Sequence, residues 1–188
     1  QIEHYLPEPL AISQAAGLMV NFAETHDNER LAARSKTWAR LRTALTALSA
    51  PYGAFGFANG VEWYADTKID VHGAPSLTWG ADDNQVDDLR RINLIWCHHP
   101  LFADGVVISQ VQSGEGNFVA LLRHHQGSGQ MVLVLANLDD RSAVAAGWQP
   151  EVVGFGEGPL WDLVSGEAVA ARWQEGTPRV DLAPGQVI

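Results

Sequence analysis

A dense group of polar residues begins at Glu24 and ends at Arg30, and it contains the adjacent pair His26-Asp27. A carboxylate beside an imidazole can hydrogen-bond a polar ligand or take part in proton transfer. The group follows directly on a short, almost entirely apolar run at 18–23. These residues alone leave two interpretations open: half of a functional site, or an ordinary loop that caps the next helix.

The run at 18–23 has the composition of a strand buried on both faces, as in a parallel sheet covered by helices. A helix is predicted to follow, with Ser35 as its N-cap, a stripe of apolar residues on one face, and Pro51 blocking its continuation. A second short strand is predicted at 54–58 and ends in another polar, glycine-containing turn. A strand–helix–strand unit of this kind makes a parallel pair, so both polar segments are expected at the same edge of one sheet.

The rest of the chain divides into a loop, a helix and a series of short strands. No regular period is present at 64–81, and a helix is predicted to open at Asp82 or Asp83 and to end before Pro100. Short strands with tight turns then predict an antiparallel β-sandwich. These strands are predicted at 106–111, 117–123, 131–137, 160–164, 168–173 and 179–182.

Composition narrows the possible functions. The 188 residues carry a formal net charge of −10 and no cluster of Lys or Arg, which argues against nucleic acid and anionic membranes as partners. The single cysteine, Cys97, excludes an intrachain disulfide and a cysteine zinc site. No apolar run approaches the ~20 residues of a transmembrane helix. With no signal sequence in view, the expected compartment is the cytoplasm. A chain that begins with Gln1 and stops inside a strand-like stretch is expected to be a segment of something larger.

Four motifs in order resemble one known family. The stretch FAETHDN at 22–28 resembles the fourth signature region of the alpha-amylase family, glycoside hydrolase family thirteen, at the end of barrel strand seven. FANGVEW at 57–63 is similar to the segment after barrel strand eight, where Gly-x-Glu is usual. The helix that ends before His99-Pro100-Leu101 resembles the last barrel helix. NLD at 137–139 and WDLVSGE at 161–167 resemble the C-terminal β domain.

The resemblance implies an α/β plus all-β chain: the C-terminal fragment of a (β/α)8 barrel, followed by an antiparallel β-sandwich domain. Residues 1–103 would supply barrel strands seven and eight with their helices, and residues 104–188 the sandwich. The substrate implied is an α-glucan or maltooligosaccharide, cleaved or transferred by a retaining mechanism. Neither a metal nor a cofactor is predicted.

The resemblance also implies roles for particular residues. Asp27 would be the third catalytic carboxylate, hydrogen-bonding the sugar and favouring its distorted ring, and His26 would donate to the same sugar. Asn28, Arg30, Glu62 and Trp63 are the predicted substrate-binding residues. The nucleophile and the acid/base belong to barrel strands four and five, which this chain does not contain, so the isolated segment is expected to be inactive.

The strands at 18–23 and 54–58 would lack barrel neighbours, so the segment is expected either to self-associate through their edges or to be held by the rest of its own barrel. The competing interpretation of function is a non-catalytic carbohydrate-binding or interaction module that keeps the tail of the fold.

Overall fold

The computed structural model of the protein describes residues 7–51, 53–70, 72–73, 77–103, 105–154 and 158–188. The N-terminal half contains α1 (Pro7–Ala16), β1 (Met19–Phe22), α2 (Leu31–Arg34), α3 (Lys36–Ser49), β2 (Gly53–Gly56) and α4 (Val86–His98). The C-terminal half contains β3 (Val106–Gln110), β4 (Phe118–His125), β5 (Met131–Asn137), β6 (Val144–Gly147), α5 (Pro150–Val153), β7 (Leu160–Trp161), β8 (Ala168–Val169), β9 (Arg172–Gln174) and β10 (Thr177–Leu182). The predicted N-terminal part starts at residue 1, but residues 1–6 lie outside the described residues.

The helix α3 forms where the sequence predicts it. Ser35 is its N-cap, and the Ser35 side chain accepts a hydrogen bond of 3.0 Å from the backbone N–H of Trp38. Leu41, Leu45 and Leu48 are buried along one face, as expected of an amphipathic helix. The other predicted helix, α4, begins at Val86, a few residues later than Asp82 or Asp83.

β1 and β2 pair in parallel across the crossover through α3, from Met19 opposite Gly53 to Phe22 opposite Gly56. The predicted parallel pairing is therefore confirmed. The prediction that the first strand is buried on both faces is wrong for this chain, because Val20 and Phe22 are 53% and 49% exposed. Side chains alternate between the two faces of a strand, and the described residues cover the face that these two share only in part.

The C-terminal half is an antiparallel β-sandwich, as predicted. One sheet has the order β3-β4-β5, the other has the order β6-β10-β9, and β7 and β8 form a separate hairpin. The strand β6 was not predicted, because its Val-Ala-Ala-Gly sequence has no alternating pattern. The predicted strand at 160–164 stops at Trp161, because the carboxylate of Asp162 accepts hydrogen bonds from the N–H groups of Val164 and Ser165 and turns the chain.

The central strand β4 is buried on both faces and joins two hydrophobic clusters. Phe118, Ala120 and Leu122 pack with residues of the second sheet, and these form the interior of the sandwich. Val119 and Leu121 instead pack in a cluster that contains the leucines of α3. The helix α3 therefore shares a core with the β-sandwich. None of the helices in the described residues is long and apolar enough to cross a membrane.

Candidate active site

The polar segments after β1 and β2 lie at the same edge of the two-stranded sheet, because parallel strands have their carboxyl ends together. The first is the loop 24–30, which leads into α2. The second is the loop 57–66, which contains a single 3-10 turn at Val61–Trp63. We call these the first and the second strand-end loop.

His26 and Asp27 occupy the tip of the first strand-end loop. The Nε2 atom of His26 lies 3.3 Å from Oδ1 of Asp27, and the two side chains are 58% and 81% exposed. Asn28 is also exposed, and its side-chain oxygen accepts a hydrogen bond of 2.8 Å from the Thr25 hydroxyl. In this arrangement the Asp27 carboxylate is open to a ligand and has the imidazole of His26 beside it.

Arg30 lies in the interior instead of facing the solvent. Its guanidinium is buried: Nε forms an ion pair with Oε1 of the equally buried Glu24 at 2.9 Å and donates a hydrogen bond of 3.3 Å to the carbonyl of Ala65. Nη2 donates to the carbonyl of Asn59 at 3.0 Å. The predicted substrate contact by Arg30 is therefore wrong for this structure, because its donors face Glu24 and the backbone of the second strand-end loop.

Glu62 and Trp63 lie on the 3-10 turn of the second strand-end loop, and both are half-buried. Glu62 Oε2 accepts a hydrogen bond of 2.9 Å from the N–H of Gly60, so this carboxylate stabilises its own turn. The turn needs glycine at its start, since Gly60 has a φ of +93°. The substrate-binding roles of Glu62 and Trp63 stay predictions.

An aromatic pair lies beside this turn. The rings of Trp63 and Trp79 have centroids 6.1 Å apart at an interplanar angle of 49°, and Trp79 is exposed. The hydroxyl of Thr78 donates a hydrogen bond of 2.9 Å to the carbonyl of Trp63, which holds the two segments together. Trp79 lies in the long loop 64–81, where the sequence pattern does not distinguish a ligand contact from a residue that packs the loop.

Electrostatics distinguish the carboxylates of the two loops. Burial raises the pKa of Glu24 above its ordinary value, opposed by the hydrogen bond from the Leu31 N–H and by the charge of Arg30. Glu24 is thus enclosed and paired, whereas Asp27 is open to solvent. Of the carboxylates in the first strand-end loop, Asp27 is the one that combines exposure with a histidine partner.

Two pockets of the chain lie away from His26 and Asp27. A largely apolar pocket of about 370 Å³ lies between the end of α4, β5 and the β7–β8 hairpin, and another of about 510 Å³ lies between α3, α4 and the loop 183–187. Neither pocket is lined by His26 or Asp27, so the candidate site is an open edge of this chain. Among the described residues, no group of three or more His, Cys, Asp or Glu side chains could hold a metal ion.

Sequence reasoning missed one residue and misplaced another. The sequence pattern assigns no role to Glu24 in the polar group and predicts a ligand contact for Arg30. The signal that could have paired them is their opposite charge at the two ends of one loop. Arg30 also has two partners on the second strand-end loop, the backbone carbonyls of Asn59 and Ala65, which are 29 and 35 residues away in the sequence. Backbone carbonyls carry no sequence signal, so these contacts could not be predicted.

Comparison with solved structures identifies the fold. The chain superposes on a maltogenic alpha-amylase from Thermotoga neapolitana with a TM-score of 0.70 and 12% sequence identity, covering 100% of this chain and 44% of that one. It superposes on an alpha-amylase from Lactobacillus plantarum with a TM-score of 0.69 and 17% identity, covering 100% of this chain and 42% of that one. No protein-family model and no curated protein sequence matches this chain.

The fold of the whole chain is therefore that of part of an alpha-amylase. The resemblance inferred from the four motifs is confirmed at the level of the fold, and the chain spans less than half the length of the two solved proteins.

Proposed function

We propose that this chain is the C-terminal part of an alpha-amylase-family enzyme that hydrolyses or transfers α-glucosidic linkages with retention of configuration. In this proposal β1 and β2 are the last two strands of a (β/α)8 barrel, completed by the preceding part of the same protein. The main support for this proposal is the exposed His26-Asp27 pair at the carboxyl end of a parallel strand, in a fold shared with two alpha-amylases. Catalytic groups of such barrels lie at this edge.

Asp27 is proposed to stabilise the transition state. Retaining glycosidases pass through an oxocarbenium-like transition state between two carboxyl groups about 5–5.5 Å apart. A third carboxylate that hydrogen-bonds the sugar hydroxyls more strongly in the distorted ring lowers the barrier and raises kcat. His26, which lies 3.3 Å from Asp27, is proposed to donate to the same sugar. Asn28, Glu62 and Trp63 are proposed to contact the α-glucan.

The nucleophile and the acid/base are proposed to come from the preceding part of the protein. Within the two strand-end loops, Glu24 is buried against Arg30, and the Glu62 carboxylate accepts a hydrogen bond from Gly60. Neither carboxylate has the exposure or the partner of a second catalytic group, and the exposed Glu29 has no histidine beside it. The 188-residue chain alone is therefore expected to leave maltooligosaccharides intact.

The first test compares the full-length protein with its Asp27→Asn variant on maltooligosaccharides. We expect kcat to fall roughly 100-fold or more, the size of effect seen when one transition-state-stabilising group is removed. Glu29→Gln is the matched control, because Glu29 is an exposed carboxylate two residues away on the same loop, and it is expected to keep wild-type turnover.

The alternative is a non-catalytic carbohydrate-binding or interaction module, and the observation in its favour is that the two strand-end loops contain no second exposed carboxylate with a histidine beside it. Wild-type turnover in a folded Asp27→Asn variant would contradict the proposed role of Asp27. A full-length protein that binds maltooligosaccharides in calorimetry without cleaving or transferring them would establish the binding module.

A further inference from the structure

The buried carboxylate of Glu24 closes the first strand-end loop on itself. Its Oε2 accepts a hydrogen bond of 2.6 Å from the N–H of Leu31, the first residue of α2, while Oε1 lies 2.9 Å from Nε of Arg30. The side chain of Glu24, at the start of the loop, therefore holds both Arg30 at the end of the loop and Leu31 at the start of α2. The intervening residues 25–29, which include His26 and Asp27, project from this closure with no buried member.

The guanidinium of Arg30 ties the closed loop to its neighbour. Nη2 donates to the carbonyl of Asn59 at 3.0 Å, and Nε lies 3.3 Å from the carbonyl of Ala65, so the bonds span both ends of the segment that contains Glu62 and Trp63. The backbone packs closely here as well, since a Cβ atom on Gly60 would lie 2.9 Å from Nη2. One side chain thus holds both loops of the candidate site in a common position.

Stability alone does not account for this pair. A buried ion pair costs desolvation that its attraction only partly offsets, and well-packed apolar residues of similar volume are often at least as stabilising. Arg30 Nη1 is buried without a hydrogen-bond partner among the described residues, which adds to the cost. A charged pair differs from an apolar pair because its contacts are directional. These directional contacts fix the two loops in one geometry.

We infer that Glu24 and Arg30 are positioning residues, which set the placement of His26 and Asp27 relative to Glu62 and Trp63. This inference rests on the proposed function. Neither side chain touches the substrate, because both are enclosed between the two loops. Their effect is on geometry, and a misplacement of about 1 Å at a catalytic group can lower turnover about 100-fold.

The test uses two variants of the full-length protein that break the pair in different ways. Glu24→Gln keeps an acceptor for the Leu31 N–H and removes the charge. Arg30→Lys keeps the charge and loses the planar fork that reaches the two carbonyls. Asp181→Asn is the matched control, since Asp181 pairs with Arg172 at 2.6 Å on the exposed surface of the sandwich.

Two readouts separate positioning from mere structural support. The first is steady-state kinetics on maltooligosaccharides, in which we expect both variants to lose kcat by about 10- to 100-fold with KM little changed. The second is hydrogen exchange measured by mass spectrometry, in which we expect faster exchange in peptides covering 25–29 and 59–65 and unchanged exchange in the sandwich. The control is expected to match the wild type in both.

Wild-type kcat in variants that fold, or unchanged exchange in both loops, would overturn the inference. If Arg30→Lys does not fold, Glu24→Gln decides the question alone. If the wild-type protein neither cleaves nor transfers α-glucans, the proposed function fails and exchange decides the positioning: faster exchange in both loops upholds it, and unchanged exchange overturns it.

Discussion

At the scale of single residues, the chain has a second buried arginine, Arg123, whose charge is stabilised by backbone carbonyls and an aromatic ring. Arg123, on the central strand β4, donates hydrogen bonds of 2.8–2.9 Å to the carbonyls of Leu48, Ala50 and Leu101, and its guanidinium lies 4.0 Å from the centre of the Phe102 ring. Burial lowers the pKa of Arg123 to about 10, so it stays protonated at neutral pH. Its N–H groups donate to the carbonyls of Leu48 and Ala50 at the end of α3, which have no partner within the helix.

Replacement of Arg123 by alanine is expected to destabilise the protein by about 3 kcal/mol, because three buried carbonyls lose their donor. The free energy of unfolding from urea titration checks this. Arg172→Ala is the control, since it removes only an exposed ion pair and is expected to cost less than about 1 kcal/mol. Equal losses in the two variants would contradict the capping role of Arg123.

At the scale of elements, the parallel pair β1–β2 depends on a glycine. Gly53 has a φ of +150°, and a Cβ atom there would lie 2.1 Å from the carbonyl oxygen of Met19 on the paired strand. The steric conflict at Gly56 is milder, because the atoms nearest to an added Cβ belong to the ring of Phe22, which is half exposed and can turn aside. The pairing that brings the two strand-end loops to one edge therefore requires glycine at position 53.

Gly53→Ala is expected to destabilise the chain by more than about 1 kcal/mol, because the backbone of Met19 cannot yield without breaking the strand pair. Gly56→Ala is the comparison and is expected to cost less, since only a side chain must move. Thermal unfolding of both variants, followed by circular dichroism, measures the difference. Gly53→Ala proteins as stable as Gly56→Ala proteins would show that the close approach is relieved without cost.

At the scale of the whole molecule, an apolar surface on one side of β1 is only partly covered by the described residues. Leu18, Val20 and Phe22 are exposed on one side of β1, while the helix α3 and the sandwich share a continuous core elsewhere. Exposed apolar strands with unpaired edges tend to associate. In the proposed full-length protein this surface would face the preceding strands of the barrel.

The 188-residue chain is therefore expected to self-associate in a concentration-dependent manner in sedimentation experiments. The double variant Val20→Thr/Phe22→Thr keeps strand propensity while removing apolar surface, and it is expected to shift the chain toward monomer. Val107→Thr is the control, because Val107 is an exposed valine on β3 in the sandwich. A wild-type chain that is folded and strictly monomeric at all concentrations would contradict this expectation.

Much of the fold is determined by patterns that are local in the sequence. The period of the apolar residues in α3, its Ser35 cap and the following Pro51 predict the helix without reference to anything distant. The parallel pairing of the two short strands follows from the helix between them, and the short strands with tight turns predict the sandwich. The motif around His26 and Asp27 likewise predicts where the candidate site lies.

Tertiary structure alone decides how the site is held and which surfaces are covered. Arg30 turns inward because Glu24 and two carbonyls 29 and 35 residues away form a site for its guanidinium. Val20 stays half exposed because the described residues cover its side of β1 only in part. Periodicity and capping are set within about one turn or one strand of the chain, whereas burial and pairing depend on neighbours that only folding brings together.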